Sequence, residues 1–284
     1  MNIGLILSGG FAKGAYQIGA LKALDEFVPK EEIKYLSCSS IGVLNGYAYR
    51  TGNLDLAREM WENVCEDGTR RLISQVLRSS LISQNVKLLC SEKKLPQSTF
   101  YCSLFNIGKR TVVYRDISAA SPDELPLYLR ASVAFPIYNK AVKIGDESFF
   151  DGGIVDNIPV YPLMKHSLDY IICVYFDGKC YKFENDYFDN KIIKITFPDQ
   201  GILKKSLVLE NGRTNEMIEQ GYERTVHLLR SVFYDGYDDI ESVCRSIEQT
   251  GGYGKNENLR ITGDVVITNL NKITKKLTKR KVIT

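Results

Sequence analysis

Twice within residues 1–50 an apolar run breaks at a cluster of small residues and gives way at once to a helical pattern. The first run, Asn2-Ile3-Gly4-Leu5-Ile6-Leu7, ends at Ser8, and the glycine-rich turn Gly9-Gly10-Phe11-Ala12-Lys13-Gly14 leads into residues 15–27, where Ile18, Leu21 and Leu24 recur at helical spacing. The second run, residues 33–39, delivers Ser40 to a helix that extends to about Tyr49 and is stopped by Thr51-Gly52-Asn53. Strands that alternate with helices pair in parallel and need cover on both faces, so the repetition predicts an α/β fold with a mainly parallel central sheet sandwiched by helices.

The rest of the chain fits that scheme. Helical segments are predicted to about Cys90, then a hairpin of strands at 99–105 and 110–115 joined by Asn106-Ile107-Gly108-Lys109. A helix follows over 122–132, and Phe149-Phe150 reads as a short strand feeding Asp151-Gly152-Gly153. Buried strands are expected at 170–176 and 192–197, and a long helix at 207–233. No repeat or long linker divides the chain, so residues 1–270 are read as one domain and 271–284 as a basic tail. In such sheets, sites form beyond the carboxyl ends of the strands. The Gly9 loop, Ser40 and Asp151 all fall there.

Charge and cysteine content exclude several functions. Lys and Arg number 37 against 34 Asp and Glu, which leaves no electrostatic footprint for nucleic acid. The local excess lies in the tail, at Lys272, Lys275, Lys276, Lys279, Arg280 and Lys281. Such a tail suits peripheral contact with an anionic membrane surface, although a solvated terminus is the plainer reading. The seven cysteines have irregular spacing and form no C-x-x-C pair, so they read as reduced core thiols, and no metal or cofactor is implied. The chain opens on a strand and has no apolar run near eighteen residues, which makes a cytoplasmic protein the expectation.

Cys38-Ser39-Ser40-Ile41-Gly42 has the form of a nucleophile elbow, a serine held in strained backbone where a strand meets a helix. The crowding at such a turn demands small residues two before and two after the nucleophile. Ser40 alone satisfies this, since Ser39 would bring in Ile41 and Ser37 would bring in Tyr35. A polar turn that merely caps the helix is the competing reading.

Acyl transfer also needs a base and donors for an oxyanion. The two histidines, His166 and His227, lack the loop context of a catalytic imidazole. A carboxylate can serve if it reaches the hydroxyl. Asp151 follows an apolar strand and precedes two glycines, which let the backbone turn tightly, whereas Asp156 beside Asn157-Ile158-Pro159 reads as a cap. The Gly9 loop would present successive N–H groups ahead of a helix, suited to an oxyanion or a phosphate. Nucleotide binding stays open as a lesser alternative, because neither the P-loop nor the dinucleotide spacing is met.

Taken together, the Gly9–Gly14 loop, the Ser40 elbow and Asp151-Gly152-Gly153 occur in the order of the patatin-like phospholipase family, which the chain resembles from residue 1 to about 180. Ala131-Ser132-Val133-Ala134-Phe135-Pro136 and Asp156-Asn157-Ile158-Pro159 extend the likeness. The resemblance implies a lipid or phospholipid acyl hydrolase with Ser40 as nucleophile and Asp151 as base. It further implies an oxyanion hole from the N–H groups of Gly9, Gly10 and Phe11, supported by Lys13, Gly14, Gly42, Gly152 and Gly153. Cys38 and Phe11 replace glycines of the family pattern. Phe11 is expected at φ < 0 with its ring lining the acyl pocket, and a patatin fold that binds lipid with little or no turnover is the alternative reading.

Overall fold

A computed structural model describes residues 1–64, 70–91, 94, 96–176, 180–197, 208–251 and 258–263. The basic tail lies outside these residues. β1 (Ile3–Leu7) is buried at every position, as expected of an inner parallel strand with both faces covered. A 3-10 turn at Phe11–Lys13 leads into α1 (Gly14–Phe27), then β2 (Ile33–Cys38), α2 (Ile41–Arg50) and α3 (Leu54–Glu62). The stretch predicted as helical segments to about Cys90 also holds a short strand, β3 (Arg70–Leu72), ahead of α4 (Ile73–Arg78) and α5 (Leu81–Leu89). β4 (Thr99–Asn106) and β5 (Thr111–Asp116) form the predicted hairpin, and α6 (Leu125–Ser132) follows.

β6 (Val142–Ile144) pairs antiparallel with β7 (Glu147–Asp151), which runs into the Asp151-Gly152-Gly153 turn. β8 (Tyr170–Tyr175), β9 (Tyr181–Phe183), α7 (Asp186–Asp189) and β10 (Ile192–Thr196) come next. The long helix α8 (Asn211–Val232) begins after β11 (Val208–Glu210), which pairs with β3 across the fold. α9 (Ile240–Gly251) and β12 (Asn258–Arg260), the latter paired with β9, complete the described chain.

The main sheet runs β10-β8-β1-β2-β4-β7-β6, with β5 beside β4. Its β10, β8, β1, β2 and β4 strands are parallel, and β5, β7 and β6 form an antiparallel flank. Ile3, Leu5 and Leu7 of β1 face the main core with residues of α1, α2 and α8. Ile6 faces the other way, onto a second core that includes Ile158, Val160 and Leu163 from the segment after β7.

The pairing of β4 decides where the site forms. β2 lies along residues 99–102 of β4 and β7 along residues 104–106, while β5 covers 101–106 on the opposite edge. β2 and β7 therefore share one edge of β4, end to end. One is parallel to β4 and the other antiparallel, so their carboxyl ends meet at Ser103. Ser40 leaves one end and Asp151 leaves the other.

Candidate active site

Ser40 occupies the point where β2 turns into α2, with φ 53 and ψ −130. A non-glycine residue there carries strain of about 1–3 kcal/mol, which the surrounding packing must hold. Close approach of α2 to β1 does so. A Cβ on Gly42 would lie 2.5 Å from the Leu7 carbonyl oxygen, so the helix can start this close to the strand only with glycine at that position. Three serines of the elbow meet the end of β7 or the segment that follows it. Ser37 Oγ donates to the Pro159 carbonyl at 2.6 Å and Ser39 Oγ to the Asp156 carbonyl at 3.2 Å, which leaves both buried and structural. Ser40 Oγ donates to Asp151 Oδ2 at 2.6 Å.

Asp151 is 3 % exposed, and its other oxygen, Oδ1, accepts the Gly153 N–H at 2.8 Å. Burial pushes its pKa up to about 7, against the opposing pull of the Ser40 hydroxyl and the Gly153 N–H. A carboxyl titrating near neutrality beside a serine hydroxyl is a group suited to general-base work. Asp156 is occupied elsewhere. Its Oδ1 meets Arg260 Nη2 at 2.8 Å and its Oδ2 accepts the Tyr114 hydroxyl at 2.6 Å, so it is a buried ion-pair residue and not the cap expected from sequence.

Of the three N–H groups expected to face an oxyanion, Gly9 does not qualify. It donates to the Asn157 carbonyl at 3.2 Å, and Asn157 Nδ2 returns a bond to the Gly9 carbonyl at 3.0 Å, which ties the two loops together. Any Cβ on Gly9 would come within 2.7 Å of Ser40 Cβ, so its role is to let the loop touch the elbow. Gly10 and Phe11 have N–H groups with no acceptor among the described residues. Phe11 corrects a second expectation: its φ is 49, in the region where the family pattern has glycine, and not negative. Its ring does line the pocket, 5.6 Å from the Phe135 ring. Lys13 closes the 3-10 turn and Gly14 starts α1.

Ser40 and Asp151 open onto an apolar cavity of about 830 Å³, mouth included, walled by α3, α4 and α5 with residues such as Met60, Trp61, Val76 and Ile82. Sequence reasoning missed the polar brace beneath the loop. Asn45 Nδ2 donates to the Gly14 carbonyl and to Gln17 Oε1, Gln17 Nε2 donates to the Ser8 carbonyl, and Trp61 Nε1 donates to Asn45 Oδ1. A buried Gln and Asn among apolar helix positions were the available signal. The histidines stand away from this chemistry: His166 is bonded to the Tyr101 hydroxyl and stacked on Tyr35, and His227 is exposed on α8.

The sequence pattern of the patatin-like phospholipase family matches residues 5–164. Among solved structures the chain is similar to VipD from Legionella pneumophila at 11% identity, over 99% of this chain and 75% of that one, with a TM-score of 0.49. It is also similar to the type III effector protein ExoU, at 13% identity over 87% and 60% of the two chains, with a TM-score of 0.46. Full-length ExoU in complex with SpcU from Pseudomonas aeruginosa is similar at 16% identity over 80% and 52%, with a TM-score of 0.47. The chain thus spans three quarters of the VipD chain and little more than half of that ExoU chain. None of the curated proteins matches it.

Proposed function

Since the chain belongs to the patatin-like phospholipase family, we propose that it hydrolyses carboxylic esters of lipids through a Ser40–Asp151 dyad and an acyl-enzyme intermediate. The observation that carries this reading is the 2.6 Å bond from a strained, cavity-facing serine to a buried carboxylate. Ionised Asp151 takes the Ser40 proton as Oγ attacks the ester carbonyl, and the Gly10 and Phe11 N–H groups receive the developing oxyanion. Protonated Asp151 then returns the proton to the leaving alkoxide. In the second half, Asp151 draws a proton from water as it attacks the acyl-serine, then passes that proton to Ser40 Oγ as the acyl–oxygen bond breaks and the acid leaves. The apolar cavity takes the acyl chain, because its lining offers almost nothing to a charged group apart from the dyad.

Removing general-base help costs about 10²- to 10⁴-fold. Ser40→Ala and Asp151→Asn are each expected to abolish nearly all turnover of a short-chain p-nitrophenyl ester, with the thermal melt still cooperative. Wild-type turnover that survives in Ser40→Ala would refute the dyad. Its absence in wild type would favour a lipid-binding role without turnover.

A further inference from the structure

We propose that the protein docks on anionic lipid bilayers through the surface formed by the end of α4, the start of α5 and residues 130–143. This rests on reading the dyad as a lipid hydrolase, whose substrate must come from such a surface. Beside the apolar cavity lies an open cleft of about 800 Å³ lined by Arg130, Lys140 and Lys143. Both hollows share Leu77, Ile82 and Val133, so the basic cleft adjoins the place where the acyl chain would lie.

The stretches 70–91 and 125–145 together hold seven Lys and Arg and no Asp or Glu, and four of the seven, Arg78, Arg130, Lys140 and Lys143, belong to the proposed surface. Taking those seven from the 37 Lys and Arg leaves 30 against 34 Asp and Glu in the rest of the chain. None of Arg130, Lys140 and Lys143 is ion-paired among the described residues. Cations without carboxylate partners, massed at one site of an otherwise slightly acidic chain, match an anionic partner.

An apolar tip stands among them. Ile137 is 69 % exposed, on a loop held firmly to the end of α4: Asn139 Nδ2 donates to the Leu77 carbonyl at 2.5 Å, and its Oδ1 accepts the Phe135 N–H at 3.1 Å. Arg78 lies over the Tyr138 ring at 5.4 Å. Exposed apolar area ringed by cations is the composition that partitions into a headgroup layer. The contact proposed is a peripheral one; no described helix is long and apolar enough to cross a membrane. A free phosphate or an acidic protein would satisfy the cations and leave Ile137 unused.

Co-sedimentation with vesicles of phosphatidylcholine, alone or mixed with phosphatidylglycerol, tests this. The Ser40→Ala protein binds without consuming the lipid. Each cation near an anionic surface is worth about fivefold in affinity at physiological salt. The Ile137→Asp/Lys140→Glu/Lys143→Glu variant is therefore expected to bind mixed vesicles at least tenfold more weakly. Its thermal melt should be unchanged and, in the Ser40 background, its turnover of a monomeric short-chain ester should match the parent. Equal binding to neutral vesicles, unchanged binding by the variant, or binding lost only on removing residues 271–284 overturns the proposal. Vesicle binding that follows the expected pattern while ester turnover is absent in wild type defeats the hydrolase reading and leaves the docking surface standing.

Discussion

Asp151 is where stability and chemistry oppose each other. Its folded-state pKa, raised by burial to about 7, lies above its unfolded value, so the native state holds its proton more tightly than the unfolded chain does. That contribution to stability is complete below the unfolded pKa and is lost as pH rises through about 7. In the proposed mechanism Asp151 acts as base only when ionised, so kcat/KM is expected to rise with pH through the same range and level off above it. Asp151→Asn removes the burial of a charge worth on the order of 4 kcal/mol. Denaturant unfolding at alkaline pH should therefore find Asp151→Asn at least as stable as wild type, and a marked loss of stability there would show that the ionised carboxylate is better satisfied than its two hydrogen bonds indicate. Phe11 makes a similar exchange, accepting φ 49 to place a ring in the cavity.

At the level of elements, the Ser40–Asp151 contact is a product of strand register. Shifting β7 by one residue on β4 would turn Asp151 to the other face of the sheet. The segment just after β7 is held at a distance by Arg260 of β12, a residue 6 % exposed whose guanidinium binds both Asp156 and the Ile158 carbonyl, on either side of Asn157. Asn157 is the residue that grips Gly9. Replacing one partner of a buried ion pair costs about 3–5 kcal/mol because the other charge is left unpaired. Arg260→Met is thus expected to lower the unfolding free energy obtained from urea titration by that amount, with a correspondingly lower midpoint, and to reduce ester turnover. Full stability in this variant would mean that β12 does not brace the site.

Over the whole molecule, what was legible in the sequence is what is local. Leu5, Ile6 and Leu7 are apolar on both faces and Ile18, Leu21 and Leu24 share one, so β1 and α1 declare themselves. The elbow and Asp151-Gly152-Gly153 are likewise constrained within a few residues. Three-residue strands such as β3 and β6 carry no periodicity of their own; β3 exists because residues 208–210 lie beside it. Nor does any local pattern join Asp156 to Arg260, 104 positions away, or reveal that Asn157 consumes the Gly9 N–H. The cavity is also a product of assembly, and it contains the chain's single tryptophan, Trp61. Titration with a long-chain fatty acid is expected to change Trp61 emission and to raise the melting temperature, since ligand at about 100 times its Kd adds about 2.7 kcal/mol. Emission and melting both unmoved at saturating fatty acid would mean that the cavity does not receive an acyl chain.

The central claim is that Ser40 is activated by Asp151, and peptide mapping after reaction with a fluorophosphonate at mildly alkaline pH tests it most directly. The expected result is a stoichiometric adduct on Ser40 in wild type that falls at least a hundredfold in rate in Asp151→Asn, in line with the loss of a general base. An adduct on another serine, or equal labelling of Ser40 with and without Asp151, would contradict it.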